Sequence, residues 1–156
     1  MKIIITIALF LLACAPALAQ ESSQPGATKD GPARVPFSEF KVNPEVKPDQ
    51  FEVRGNLTLA SESDGINLYK EEVEINVGSL AVTLPPGSFK QDGERTKIRY
   101  TGQVGNFILD VVFRITGQNS FRVKIEGEGA NIGKLAPEDI TLRIGNDAGK
   151  ATALTP

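Results

Sequence analysis

Apolar and polar residues alternate with a period of two in one stretch of this chain after another, and that pattern constrains the fold most tightly. Phe51-Glu52-Val53-Arg54 alternates and runs on to Leu57-Thr58-Leu59. Val73, Ile75 and Val77 alternate with Glu72, Glu74 and Asn76. Phe107, Leu109, Val111, Phe113 and Ile115 define one face of a long segment whose other face holds Asn106, Asp110 and Arg114. Phe121, Val123 and Ile125 alternate with Arg122, Lys124 and Glu126, and Ile140, Leu142 and Ile144 with Thr141 and Arg143. A strand sends successive side chains to opposite faces, so each segment predicts a strand with one face in a core and one in water. No segment carries a sustained helical repeat.

Turn residues divide these segments at short intervals: Ser63-Asp64-Gly65, Pro85-Pro86-Gly87, Gln91-Asp92-Gly93, Gly117-Gln118-Asn119 and Asn146-Asp147-Ala148-Gly149. Each offers a Gly, Asn or Asp that accepts positive φ, or a Pro that presets it. Seven to nine strands across about 105 residues predict an all-β fold, an antiparallel, immunoglobulin-like β-sandwich, with a small barrel as the alternative. Before the first long strand, Phe37, Phe40 and Val42 stand among prolines up to Pro48. They predict an extended segment or an edge strand, where Pro is tolerated.

The segments also repeat. Phe51-x-Val53 leads through a loop to Val73-x-Ile75-x-Val77-Gly78, and Phe121-x-Val123 leads to Ile140-x-Leu142-x-Ile144-Gly145 through a loop three residues shorter. Acidic pairs, Glu71-Glu72 and Glu138-Asp139, precede each second strand. Another apolar stretch follows each, Leu80 to Leu84 and Ala151 to Leu154. This predicts half-repeats at 51–84 and 121–154 that pack as a pseudo-two-fold sandwich, with Gly78 and Gly145 at the strand ends.

The N-terminus reads as an address. Lys2 precedes an apolar run from Ile3 to Ala13, and Ala17-Leu18-Ala19 places small residues before Gln20, the secretory pattern. The apolar run is shorter than the roughly 20 residues a spanning helix needs. Leu11-Leu12-Ala13-Cys14 resembles the lipobox of bacterial lipoproteins, in which the cysteine becomes the lipidated first residue. The expectation is a signal peptide at 1–19 cut between Ala19 and Gln20, giving a periplasmic or secreted protein. The alternative is lipidation at Cys14 and anchoring to the envelope. Residues 20–36, rich in Ser, Gln, Gly and Pro, predict a flexible tether before a single domain at 37–156.

Composition removes whole classes of chemistry. The chain has no His, no Trp and one Cys, in the signal, so internal disulfides, the usual zinc ligand sets and Ser-His-Asp or Cys-His catalysis are excluded. A net charge of −2 with mixed signs argues against a nucleic-acid partner. Leu84-Pro85-Pro86-Gly87-Ser88-Phe89 and Leu142-Arg143-Ile144-Gly145-Asn146-Asp147-Ala148-Gly149 resemble two elements of a repeat in secreted bacterial proteins, an IPxGSF-like turn and a VxLxIGDDxG-like hairpin. Asn146 stands where that repeat usually has Asp. The resemblance spans roughly Phe51 to Leu154 and implies an exported bacterial β-module with no catalytic residue.

Asp110, in the most apolar strand with Ile108 and Val112 on its face, is a candidate general acid if desolvated, or a surface ion pair with Arg114 or a neighbouring-strand cation. Asn146-Asp147-Ala148-Gly149 invites a calcium reading but offers two side-chain ligands where six to eight oxygens are needed, so a tight hairpin is expected. Glu71, Glu72 and Glu74 predict an acidic patch, and Lys97, Arg99, Arg122, Lys124 and Arg143 basic rows on outward faces. Asn56-Leu57-Thr58 matches a glycosylation sequon, which a bacterial signal makes incidental. The expected function is a non-catalytic protein-binding or structural module of the envelope or secretome, with no cofactor or metal. The alternatives are a carboxylate-based hydrolase and a small-ligand carrier with a cavity between its sheets. A membrane partner is expected only with lipidation at Cys14.

Overall fold

The computed structural model describes residues 34–129 and 139–152. Cys14, Ala19, Gln20, Glu138 and Leu154, and the expectations resting on them, lie outside the described residues. The strands are β1 (Val35–Pro36), β2 (Glu39–Lys47), β3 (Gln50–Thr58), β4 (Val73–Val77), β5 (Leu80–Leu84), β6 (Lys90–Gln91), β7 (Lys97–Val104), β8 (Phe107–Ile115), β9 (Ser120–Gly129), β10 (Asp139–Ile144) and β11 (Asp147–Thr152). They form a five-stranded sheet ordered β1-β11-β10-β4-β5 and a six-stranded sheet ordered β2-β3-β9-β8-β7-β6. The two layers make the expected sandwich, and no barrel closes. Apart from the parallel β1–β11 pair, every pairing is antiparallel.

Alternation does what it predicted. Val73, Ile75, Val77, Ile140, Leu142 and Ile144 line the inner face of the five-stranded sheet at zero exposure. Leu57, Leu109, Val111, Phe113, Val123 and Ile125 answer them from the six-stranded sheet, also at zero exposure. Each such side chain contributes roughly 1.5–3 kcal/mol on leaving water. Aromatic side chains shut the two flanks. Phe89, just before β6, packs edge-on to Phe113 at 5.7 Å and lies 5.9 Å from Tyr100. On the opposite flank Phe37 meets Phe40 edge-on at 5.8 Å and lies over Gly149, where a Cβ would sit 2.3 Å from its ring.

The centre of each sheet is two-fold symmetric in its pairing. Arg54 of β3 pairs with Lys124 of β9, 70 residues later. Ile75 of β4 pairs with Leu142 of β10, 67 residues later. These are the two spacings of the sequence segments compared above, so each residue at the middle of a central ladder faces its own counterpart. The hydrogen bonds that tie the turns repeat the relation: Gly78 N–H donates to the Asp139 carbonyl and Gly145 N–H to the Glu72 carbonyl, both at 3.0 Å. Gly78 and Gly145 both adopt positive φ, 55° and 58°.

Two expectations need correction. Val35 and Pro36, assigned to the tether, instead pair with Asp147 and Ala148 as β1. The hairpin turn predicted at Asn146-Asp147-Ala148-Gly149 is Gly145-Asn146, and Asp147 already belongs to β11. Gly145 takes the positive φ a two-residue hairpin demands, which frees Asp147 to enter the strand.

Candidate functional site

Strand parity sends one set of side chains from the six-stranded sheet to water, and register decides which of them become neighbours. One cross-strand row reads Lys41, Asn56, Arg122, Arg114, Lys97 across β2, β3, β9, β8 and β7. The next reads Asn43, Arg54, Lys124, Val112, Arg99, and the one after Glu45, Glu52, Glu126, Asp110, Thr101. The outer face thus carries a band of seven cations bordered on one side by four carboxylates. At about 4.8 Å per strand, the band runs about 19 Å from Lys41 to Lys97.

The band is arranged against local sheet stability. Arg54 lies directly opposite Lys124, and Arg122, Arg114 and Lys97 follow one another across adjacent strands. Like charges in directly opposed positions are destabilising. Partners elsewhere offset part of this. Arg114 bonds Glu94 at 2.9 Å, Lys97 meets Asp92 at 2.7 Å, and Lys124 bridges Glu126 at 2.7 Å and Glu52 at 3.3 Å, with Arg54 also on Glu52. Partial burial alone would raise the Glu52 carboxyl, but hydrogen bonds with Arg54, Glu126 and Lys124 outweigh it and hold the group below its ordinary value. The hydrogen bond from Lys97 holds Asp92 down likewise, against a smaller cost of burial.

Arg122 differs from its neighbours. Among the described residues it has no salt bridge and no side-chain hydrogen bond, although it is exposed at the middle of the band. Two shallow open grooves meet at it. One, of about 420 Å³, lies between β2, β3 and β9 over Lys41, Asn43, Arg54 and Asn56. The other, of about 320 Å³, lies over Lys97, Arg99, Asp110, Arg114 and Lys124.

Asp110 is not an isolated acid. Its carboxylate receives both arms of the Arg99 guanidinium, at 2.7 and 2.6 Å, and the Thr101 hydroxyl at 3.0 Å. The ion-pair reading holds, with Arg99 of β7 as the partner and Arg114 turned to Glu94 instead. Lys97, Arg99, Arg122 and Lys124 stand on the shared outward face as expected. Arg143 does not: it lies on the other sheet, bonded to Glu72 at 2.9 Å and to Glu74. Glu72 and Glu74 therefore share one guanidinium, which offsets half of their charge, and Glu71 turns toward the Gly145 turn, hydrogen-bonded by the Asn67 backbone N–H. Lys41, Arg54 and Arg114 join the band without having been grouped with it. Their outward parity was readable, but their alignment needed the register.

Asp147, read from the sequence as part of a hairpin turn, is buried at zero exposure. Strand parity points it into the interior at the first position of β11. The Ser63 hydroxyl donates to Oδ2 at 3.0 Å, and Oδ1 has no partner among the described residues. Burial pushes this carboxyl above its ordinary value, the Ser63 hydrogen bond works against that, and Asp64 adds to it. Asn146 lies in the turn while Asp147 points into the interior, and among the described residues no three acidic, His or Cys side chains are grouped to hold a metal. Compared with known proteins, the chain matches no family model, no curated protein and no solved structure.

Proposed function

We propose that this protein is an exported, non-catalytic binding module of the bacterial envelope or secretome that docks an acidic protein surface on the outer face of its six-stranded sheet. The observation that carries the proposal is the cation band centred on Arg122, kept in a register that sets like charges opposite one another, an arrangement that is locally destabilising. Stability given up locally is characteristic of sites selected for something else. Shallow grooves across several strands suit a protein surface better than an enclosed small molecule. The carboxylates Glu52, Glu126 and Asp110 are engaged by cations, which favours binding over hydrolysis. The interior filled by Phe51, Phe113 and their neighbours favours it over ligand carriage. The half-repeats belong to the same proposal: the paired registers at 70 and 67 residues support a duplication of one β-unit.

The test uses residues 20–156 on immobilised poly-L-glutamate, alongside Arg122→Glu and Arg122→Glu/Lys41→Glu. Wild type is expected to be retained at low salt and released at high salt, since exposed charges are screened within about 10 Å at 0.1 M. Retention should fall at least tenfold, about 1.4 kcal/mol, in the double variant, while Lys150→Glu on the other sheet leaves it unchanged. Because Arg122 has no ion pair among the described residues and stands opposite Arg114, its reversal should not lower the melting temperature. Equal retention of all four proteins would rule out the band as the docking face.

Export is tested separately by the intact mass of the native protein. An N-terminus at Gln20 is expected. A diacylglyceryl-modified Cys14 would establish the anchored form instead.

A further inference from the structure

The two-fold relation makes β5 and β11 counterparts, each following a two-residue turn from the central strands β4 and β10. Their free edges are treated differently. β11 is covered by β1, with Val35 N–H donating to the Asn146 carbonyl at 2.9 Å and Phe37 N–H to the Ala148 carbonyl at 2.8 Å. Ala81 occupies on β5 the place Ala148 holds on β11, and nothing among the described residues covers it. In a two-residue hairpin the residues flanking the turn bond each other, so Leu80, Val82 and Leu84 bond β4. The N–H and C=O groups of Ala81 and Thr83 therefore point outward, and both residues are exposed.

Other sheet edges carry the usual protection. β2 has Pro44 and outward Glu39, Lys41, Glu45 and Lys47, while β1 and β6 are only two residues long. β5 reads Leu-Ala-Val-Thr-Leu, with no charge, no Pro and no bulge. Such an edge is a template for another strand.

We infer that two copies of this chain associate by antiparallel pairing of β5 with β5, joining their five-stranded sheets edge to edge. The strand is complementary to itself. A register centred on Val82 sets Ala81 opposite Thr83 of the second copy and Thr83 opposite Ala81. Those two pairs exchange four backbone hydrogen bonds. Val82 then meets Val82 on the core side, and Leu80 meets Leu84. No like charges oppose one another anywhere along the pair, and the added ladder continues the antiparallel order of β5-β4-β10-β11. A partner segment lying parallel to β5, as β1 lies on β11, would be a different occupant and is an outcome of the test.

Sedimentation equilibrium on residues 20–156 is expected to show a concentration-dependent dimer. Thr83→Pro should be monomeric. It removes an outward N–H and leaves β4 pairing intact, because proline is accepted where an edge N–H faces solvent. Thr83→Lys supplies a second edge-blocking variant should the proline variant fail to fold. Arg122→Glu should dimerise like wild type, which separates this surface from the cation band. Amide exchange gives an independent reading: Ala81 and Thr83 should be fast in dilute protein and slowed at least tenfold in concentrated protein. A wild type that stays monomeric at its highest soluble concentration overturns the inference, including the case where β5 amides slow only on adding another protein. A dimer that survives both Thr83 variants also overturns it.

Discussion

Gly127→Val is expected to destabilise the domain by roughly 3–5 kcal/mol, the range in which burial of a whole aromatic side chain is lost. Gly127 is paired with Phe51 across the β3–β9 ladder, and the Phe51 ring, 1% exposed, lies over the glycine. A Cβ at residue 127 would sit 2.1 Å from Cε1 of that ring and 2.8 Å from Cδ1 and Cζ. No rotation of a valine avoids its own Cβ, so the ring must leave or the ladder must part. Small domains hold only 5–15 kcal/mol in total, so the variant should unfold at a much lower urea concentration. The companion experiment is Phe51→Ala/Gly127→Val. Phe51→Ala alone empties the space and should also lose about 3–5 kcal/mol. The double variant should be more stable than the sum of the single effects, because the valine fills what the ring vacated. Additive losses would show that the two residues do not share that space. A single-variant loss under about 1 kcal/mol would show that the ring moves freely.

Gly127 also marks the limit of what the repeat made legible. The half-repeat comparison sets Gly127 against Leu57, and by that logic a larger residue belongs there. The structure shows why it does not: Leu57 is buried opposite Phe121, whereas the Phe51 ring occupies the space a side chain at Gly127 would need. Strand parity, sheet class and the edge position of β2 were readable because alternation and proline act locally. The counterpart relations were readable because apolar and glycine positions recur at fixed spacing. Register was not readable, since a slip of two residues preserves every inward and outward assignment. The cation band exists only in register: Lys41, Arg122, Arg114 and Lys97 come from four strands spread over more than half the described chain. β1 was missed for a related reason. Two residues between Arg34 and Phe37 are too few to show a periodicity, and what holds Val35–Pro36 is the β11 edge and the seat of Phe37 on Gly149.

Asp147→Asn is expected to raise stability at neutral pH, because it removes a charge that burial disfavours, and to change its pH dependence in a defined direction. The expectation runs against the usual behaviour of surface carboxylates. Glu52 and Asp92 sit below their ordinary values, so the stability they lend is present above the ordinary carboxylate range and is lost as pH falls through their lowered values. Asp147 is raised, chiefly by burial, so the sign reverses. Its contribution is most favourable below the unfolded-state value, where it is neutral in both states, and declines as pH rises through the folded value. Asparagine keeps an acceptor for the Ser63 hydroxyl and never ionises. Wild type and variant should therefore be close in stability at low pH and diverge as pH rises, with the variant the more stable. The gap should level off once Asp147 is fully ionised. Urea titrations from acid to neutral pH measure the difference directly, and the groups common to both proteins cancel. Ser63→Ala in the wild-type background should widen the gap, because it removes the one hydrogen bond that favours the charged form. A constant difference across the pH range would mean that Asp147 ionises in the folded protein as it does in the unfolded chain. Greater stability of wild type at neutral pH would mean that its carboxylate finds a partner for Oδ1.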